Sequence, residues 1–329
     1  MSGRLESEQG FVAAELLREA AEMSLGIDPV DLSPAIMDTL VLSGRIMARE
    51  VQPGLIATAD DIVYLAEADM AVEVDPCVIC GILLGGDPQG MAIEDHGTVA
   101  KALERPVLVG FCDKSRCRYI GGTMVRSYSA GFMLRPKFFE RFGDHVADDG
   151  LAALRAFGQV PFRTATLPRS PRLVELARRN LDHPYNGQLG ELFLESNALA
   201  LVAEVADLLR RETLLIAQMG RRHYDRVMEA RDILDRNVNA PPSTLELARQ
   251  VGVNVTTLQA NFKKALGTTI FGYVRDQRLQ MAKILLAEHG LAAAEAGRKV
   301  GFSSPAAFAA AYRRHFGHPP TAETSGRKQ

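Results

Sequence analysis

The spacing of apolar residues changes several times along this chain, and each change predicts a different kind of element. Residues 11–23 (Phe-Val-Ala-Ala-Glu-Leu-Leu-Arg-Glu-Ala-Ala-Glu-Met) have the spacing of a short amphipathic helix. From about Val41 to Val125 short apolar runs take over: Ile62–Leu65, Val78-Ile79, Ile82–Leu84 and Pro106–Val109. Pro53-Gly54, Gly85-Gly86-Asp87-Pro88 and Gly121-Gly122 punctuate them, the texture of several short strands in a sandwich or barrel. Helical texture returns at Pro136–Phe142 and Gly150–Phe157. Ser170 as N-cap and Pro171 at the first helical position open a helix over Arg172–Asn180. A longer helix is expected from about Gln188 to Arg211, with Leu189, Leu192, Phe193, Leu199, Val202, Val205 and Leu209 as its apolar stripe. That stripe suits a dimer seam and packing on its own domain equally, because spacing does not separate the two.

The last hundred residues repeat one pattern. Thr244–Gly252 is a short helix ending at a glycine, followed by a second helix over about Val255–Ala265 that closes at Gly267. Ala293–Phe302 and then Ser303-Ser304-Pro305 through Phe308 and Tyr312 to Phe316-Gly317 repeat it. These are two helix-turn-helix units, about 244–266 and 292–316, and the second helix of such a unit can lie in the DNA major groove. Thr268–Glu288 reads as the helix that joins them and fixes their separation. Heads in successive grooves on one DNA face sit about 34 Å apart, so half-sites repeat near every 10 base pairs. The expected architecture is a β-rich, cupin-like N-terminal domain with flanking helices (1–220) and an all-α C-terminal domain (221–329). Thr213–Gly220, the boundary, lacks the Pro/Gly texture of a flexible linker, so a helix is expected to couple the two.

Leu258 and Phe262 are four apart and share the core face of the first recognition helix. This turns Thr256, Gln259, Ala260 and Lys263 toward the groove, flanked by Thr257 and Asn261. Gln pairs with N6 and N7 of adenine, and Thr offers a methyl or a hydroxyl to a base edge. The expected base-contact set is Thr256, Thr257, Gln259, Ala260 and Lys263; Lys263 and Lys264, as flexible point charges, suit phosphates best.

Charge separates the two halves. The whole chain holds 38 Lys+Arg against 40 Asp+Glu, but residues 221–329 hold 17 against 9, which leaves 21 against 31 in residues 1–220. A basic module on an acidic body fits phosphate contact by one part alone. At 329 residues the chain calls for two domains. It has no apolar run near the roughly 18 residues of a membrane span and an acidic, polar start unlike a signal peptide, so a soluble, cytoplasmic protein is expected.

Catalytic motifs are not evident in residues 1–220, and neither an enzymatic activity nor a cofactor is expected. The four cysteines, Cys77, Cys80, Cys112 and Cys117, fall within about forty residues, and two thiolate pairs could bind zinc or oxidise as a sensor. Against this, Cys77 and Cys80 point to opposite faces of a strand, and Val78-Ile79 between them is core texture. In favour, Lys114, Arg116 and Arg118 could lower the pKa of Cys117. A thiol- or metal-responsive regulator is therefore the alternative reading. A self-alkylating repair enzyme with a DNA-binding tail would need the same four thiols.

The C-terminal hundred residues resemble the DNA-binding domain of the AraC/XylS family of bacterial transcription regulators. The resemblance rests on Leu247-Ala248, Gly252, Leu258, Phe262–Gly267, Tyr273, Arg278-Leu279, Ala282, Leu285-Leu286, Val300–Phe302, Phe308, Arg313-Arg314 to Phe316-Gly317, and Pro320. It implies two helix-turn-helix units joined by a helix, acting at promoters as an activator, with double-stranded promoter DNA and RNA polymerase as partners. The second unit departs from the pattern. Ala296-Gly297 stands where the family has Ile-Ala, Ala306, Ala307, Ala309 and Ala310 occupy positions that usually carry polar readers, and Glu323-Thr324 replaces an aromatic-Arg pair. Sequence specificity is therefore expected mainly from the first unit. The second is expected to dock on phosphates through Ser303, Ser304, Arg313 and Arg314, with Lys264 and Arg278 completing the phosphate set.

Asp182–Val202 and Ala230-Arg231-x-Ile233-Leu234 are similar to blocks in the ferric-siderophore-responsive subgroup, the pyochelin- and yersiniabactin-type regulators. That similarity implies a small-molecule effector, a ferric siderophore, taken by the β-rich domain, with Arg49, Arg126 and Tyr128 as candidate polar groups of its pocket. A homodimer is a further expectation, and no membrane partner is expected.

Overall fold

The computed structural model describes residues 5–12, 15, 27–30, 40–65, 71–86, 90–120, 122–143, 150–287 and 290–325. It divides into two compact units, Met1–Arg211 and Glu212–Gln329.

The first unit is built on two antiparallel sheets. The larger has seven strands in the order β1 (Leu5–Val12), β3 (Leu40–Gln52), β4 (Leu55–Tyr64), β11 (Val125–Leu134), β6 (Cys77–Gly86), β9 (Pro106–Phe111) and β12 (Arg163–Thr166). The smaller has five, in the order β2 (Ile27–Val30), β5 (Ala71–Val74), β10 (Ser115–Ile120), β7 (Gly90–Ile93) and β8 (Gly97–Ala100). Strand alternation divides the large sheet's side chains between two cores. Leu55, Ala57, Ala59, Cys80, Phe132 and Leu134 point one way, into a core shared with helices. Ile56, Cys77, Val109, Phe111 and Met133 point the other way and meet Val74, Ile93 and Cys117 of the small sheet.

The helical layer consists of α1 (Pro136–Glu140), α2 (Leu151–Phe157), α3 (Pro171–Leu181) and α4 (Gly187–Met219). Ser170 caps α3, its hydroxyl accepting from the Leu173 N–H at 3.3 Å, and Pro171 takes the first helical position. Two buried asparagines tie this layer to the sheet. The Asn180 amide donates to the Gly131 carbonyl at 3.2 Å, and the Asn197 amide donates to the Leu176 carbonyl at 2.8 Å and to Asn180 Oδ1 at 2.7 Å. Asn197→Ala leaves the buried Asn180 Oδ1 without this donor, while the Leu176 carbonyl keeps its helical bond, so we expect a loss of about 1–3 kcal/mol in urea unfolding.

The expected stripe of α4 splits. Val202, Val205 and Leu209 are buried in their own domain and Leu199 packs at its edge, while Leu189 and Leu192 are exposed. The helix also runs on past Arg211 to Met219, because no Gly or Pro stops it before Gly220, where φ is +84°. The boundary between the two units thus falls inside a helix.

Other expectations shift in detail. The expected helix at 11–23 meets a strand at Phe11 and Val12, which end β1; apart from Glu15 its remainder lies outside the described residues. Val78-Ile79 and Ile82–Leu84 belong to the one long strand β6. Asp87, Pro88 and Gly121 of the expected turns lie outside the described residues. Among the described residues no helix is long and apolar enough to cross a membrane.

After the last turns of α4 the second unit continues with α5 (Arg221–Arg236), α6 (Thr244–Gln250), α7 (Val255–Leu266), α8 (Ile270–Ala287), α9 (Ala293–Lys299), α10 (Pro305–Phe316) and α11 (Thr321–Ser325). It has two small cores. Val227, Leu234, Leu247, Leu258 and Phe262 form one, and Val300, Phe308 and Tyr312 the heart of the other. Helix α8 belongs to both: Ile270 and Val274 enter the first, Leu279, Ala282 and Leu286 the second.

Candidate nucleic-acid interface

Each helix-turn-helix is set by its caps. Ser243 and Glu246 form a reciprocal capping box at the start of α6, and Gly252 turns the chain at φ +67°. Asn254 then caps α7, its Oδ1 accepting from the Thr257 N–H at 2.7 Å, and Gly267 ends that helix at φ +70°. In the second unit Gly301 makes the turn at φ +86°, Ser304 accepts from the Ala307 N–H at 3.1 Å, Pro305 follows, and Gly317 closes α10 at φ +82°.

With Leu258 and Phe262 buried, α7 presents Thr256, Gln259, Ala260, Lys263 and Lys264 to solvent, with Thr257 half-buried beside them. Helix α10 buries Phe308 and Tyr312 and presents Pro305, Ala306, Ala307, Ala309, Ala310, Arg313 and Arg314. Ser303 is exposed at its start, whereas the Ser304 hydroxyl is engaged in the cap. One outward face is therefore polar, and the other is methyl groups ending in two guanidinium groups.

Arg278 departs from its expected role at phosphate. Its Nε donates to the Val238 carbonyl at 3.0 Å, Nη1 to the Gly301 carbonyl at 3.1 Å and Nη2 to the Asn239 carbonyl at 3.1 Å. The guanidinium fork fits this work, joining the segment after α5 to the turn of the second unit. Its partners lie 23 to 40 residues away along the chain, so spacing alone carried no sign of the clamp. Elsewhere the Tyr273 hydroxyl donates to Asp235 at 2.6 Å, and that of Tyr312 donates to Glu323 at 2.8 Å. Glu323, one of the departures from the family pattern, thus holds α11 to the second core.

In the first unit Arg49, Arg126 and Tyr128 all lie on the helix-facing side of the large sheet and are engaged there. Arg49 pairs with Glu191 of α4, Arg126 grips Asp61 at 2.9 and 3.2 Å, and Tyr128 donates to Asp182 at 2.7 Å. They fasten the sheet to itself and to the helices, because their positions share strand parity with the residues of that core.

The thiols do not behave as the basic neighbours of Cys117 suggested. Burial pushes the Cys77 thiol up to about 12 and the Cys117 thiol up to about 11, and it also raises Cys80. Cys112 is raised as well, first by its hydrogen bond to Asp113. All four are free thiols, and Cys77 and Cys80 lie in different cores on opposite faces of β6. Among the described residues no group of three His, Cys, Asp or Glu could hold a metal. At pH 8 a thiol with a pKa of about 11 is ionised to about one part in a thousand, so native Cys117 is expected to react with a disulfide reagent about a hundredfold or more slowly than a free thiol. Because folding raises these pKa values, the stability they reflect is present below about pH 9 and is lost as the pH climbs toward 12.

Comparison with known proteins decides the family. Residues 43–216, more than half of the chain, match the profile described as the regulatory protein PchR N-terminal domain. Residues 247–324 match a helix-turn-helix domain profile. The chain belongs to the PchR-type regulators of the AraC/XylS family. It is 34% identical over 104 residues to the regulatory protein PchR of Pseudomonas aeruginosa, covering 31% of this chain and 35% of that one. It is 29% identical over 119 residues to the transcriptional regulator ArgR of the same organism, covering 36% of each. These matches thus span only about a third of the length of either relative. A crystal structure of an AraC-type transcriptional regulator from Chromobacterium violaceum aligns at 34% identity over 32% of this chain and 95% of that one, with a TM-score of 0.31. Within that family, residues 247–324 of this chain carry the helix-turn-helix domain.

Proposed function

We propose that the protein is an effector-responsive activator of transcription in the cytoplasm whose two DNA-binding heads divide the work unequally. Thr256, Thr257, Gln259, Ala260 and Lys263 of α7 read bases in one major groove. Ser303 and Ser304 just before α10 and Arg313 and Arg314 within it, with Lys264 of α7, hold phosphates. The contrast between the two exposed helix faces carries this reading: Gln259 can pair with an adenine edge, whereas the four alanines of α10 can offer only methyl groups. The Arg278 clamp supports it, since it fixes the register of one head against the other. RNA polymerase is the further partner that activation requires.

The similarity of Asp182–Val202 to the ferric-siderophore-responsive subgroup, together with the PchR-type profile, supports a ferric siderophore as the effector of the first domain. Exposed Leu189 and Leu192 at the start of α4 are the residues we assign to pairing with a second copy.

Competition binding on full-length protein tests the division of labour. Gln259→Ala should reduce the preference for the cognate site over a site mismatched in the first half-site by about 5- to 150-fold, the 1–3 kcal/mol of one bidentate base contact. Arg313→Ala should weaken all duplexes alike and lower the salt slope by about one. Equal loss of discrimination in both variants would sink the proposal. The effector is tested by a thermal melt against ferric siderophores and their iron-free forms; a ligand at about 100 times its Kd adds roughly 2.7 kcal/mol to the native state.

A further inference from the structure

The inner face of the large sheet changes character part-way along its strands. At one end Ile56, Cys77, Val109, Phe111 and Met133 are apolar and packed on the small sheet. Further along, the three adjacent strands β4, β11 and β6 turn inward Thr58, Asp60, Ser127, Ser129, Gly131 and Gly81, with Thr58 and Gly81 both registered on Gly131 and Asp60 on Ser129. These are the third, fourth and fifth strands of seven, where a sandwich core ordinarily places bulky apolar groups. Thr58, Asp60 and Gly81 nevertheless retain solvent contact, while Ala57, Ala59, Cys80 and Ile82 on the opposite face are buried. Ile62 and Leu83, on the same inner face and registered on Ser127 and Ser129, are buried again, so Thr58, Asp60 and the two serines form a polar patch within an otherwise apolar face.

Lys101, just after β8 of the small sheet, reaches across to that patch. Its Nζ lies 3.2 Å from Asp60 Oδ1 and 2.5 Å from Ser129 Oγ, and its stem passes over Gly81. Ser127 donates to Asp60 Oδ2 at 2.8 Å and Ser129 donates to Asp60 Oδ1 at 2.5 Å. Donors and acceptors can then be counted. Among the described residues the Asp60 carboxylate has three donors, both serine protons are used, and the ammonium has spent two of its three protons. The open valence belongs to a cation whose side chain is 29% exposed.

We propose that this patch is a binding site for the oxyanion, most simply a carboxylate, of a small organic ligand, with Lys101 as its anchor. The proposal rests on the reading that the first domain takes a small-molecule effector, and it names where and by which group. The strap that presents Lys101 also gives binding a consequence. Three residues on, Glu104 takes a left-handed backbone (φ +51°), donates its N–H to the Leu83 carbonyl at 2.7 Å and buries its carboxylate against Arg169 at 2.6 Å and Arg178 of α3 at 3.5 Å. A ligand that draws Lys101 away from Asp60 pulls on a segment whose far end is held by the helical layer.

The test is a thermal melt and calorimetric titration of the full chain with benzoate, a minimal carboxylate on an apolar body, and with uncharged benzamide. Benzoate is expected to stabilise the wild type, benzamide is not, and Lys101→Gln should weaken benzoate at least tenfold. Asp60→Asn, which keeps the cation and removes its competitor, should bind benzoate several-fold more tightly than the wild type. That gain is one a merely structural ion pair would not give, and it stands even if Lys101→Gln fails to fold. Equal benzoate binding by wild type and Lys101→Gln, no benzoate response in the wild type, or weaker binding by Asp60→Asn would overturn the site. Ferric siderophores in the same melts separate the effector from the site. Stabilisation by benzoate but by no ferric siderophore keeps the site and loses that effector, whereas a ferric-siderophore shift that survives Lys101→Gln keeps the effector and loses the site.

Discussion

Replacing Arg278 by alanine is expected to destabilise the C-terminal unit by about 2–3 kcal/mol and to weaken binding to every DNA sequence, while leaving the salt dependence of binding unchanged. Charged hydrogen bonds contribute about 1.5–3 kcal/mol each, but two of the three made by Arg278 are exposed and water replaces part of what they supply. The three carbonyls belong to Val238, Asn239 and Gly301, so the variant loosens the second unit's turn against the segment that leads into the first. Gly301 is part of the same device: a Cβ there would sit 2.9 Å from the Arg278 guanidinium and 3.2 Å from the Asn239 carbonyl oxygen. Two heads whose spacing is no longer fixed lose the advantage of binding together. A phosphate contact would behave differently, lowering the salt slope by about one with little effect on folding. Melts of the variant and titrations at three salt concentrations separate the two roles.

Gly297→Ala is expected to destabilise the second helix-turn-helix by about 1–2 kcal/mol, although helix propensity alone argues for a gain of about 1 kcal/mol. Gly297 is buried inside α9, and a Cβ there would lie 2.8 Å from Cγ, 2.9 Å from Cδ1 and 3.1 Å from Cβ of Phe308. These atoms sit at the root of the ring and cannot swing aside. Phe308 is itself 1% exposed and held edge-on by Phe302 and Tyr312. Overpacking of this kind costs about 1–3 kcal/mol, which exceeds the backbone gain. In a melt the variant should unfold several degrees below the wild type, and adding Phe308→Leu should recover part of the loss. A variant more stable than the wild type would show that the core around Phe308 relaxes freely.

The same residue shows what the sequence could and could not disclose. Gly297 is visible as a departure from the family pattern, but its reason lies in Phe308, which reaches it only through the turn at Gly301. Features written in local spacing were legible: the cap at Ser170-Pro171, the buried pair Leu258 and Phe262, the glycines that close α7 and α10, and the β-rich texture between Val41 and Val125. Features made by distant partners were not. Asp60, Lys101, Ser127 and Ser129 come from two strands and a connection, and antiparallel register alone brings Asp60 opposite Ser129. Arg49, Arg126 and Tyr128 looked like pocket residues for their polarity, yet strand parity turns them toward the helices. The reach of α4 was half legible: Thr213–Gly220 lacks the texture of a flexible linker, so a coupling helix is expected there, and the same helix that is expected to close at Arg211 runs through to Met219.

In the proposed division of labour one head reads sequence and the other holds the backbone. Selection of binding sites from a randomised duplex library with the full-length protein tests it most directly. One strongly specified half-site is expected and, about 10 base pairs away, a second half-site with weak preference biased toward thymine, whose methyl group the alanines of α10 can touch. Two equally specified half-sites, or a strong preference only where α10 docks, would contradict it.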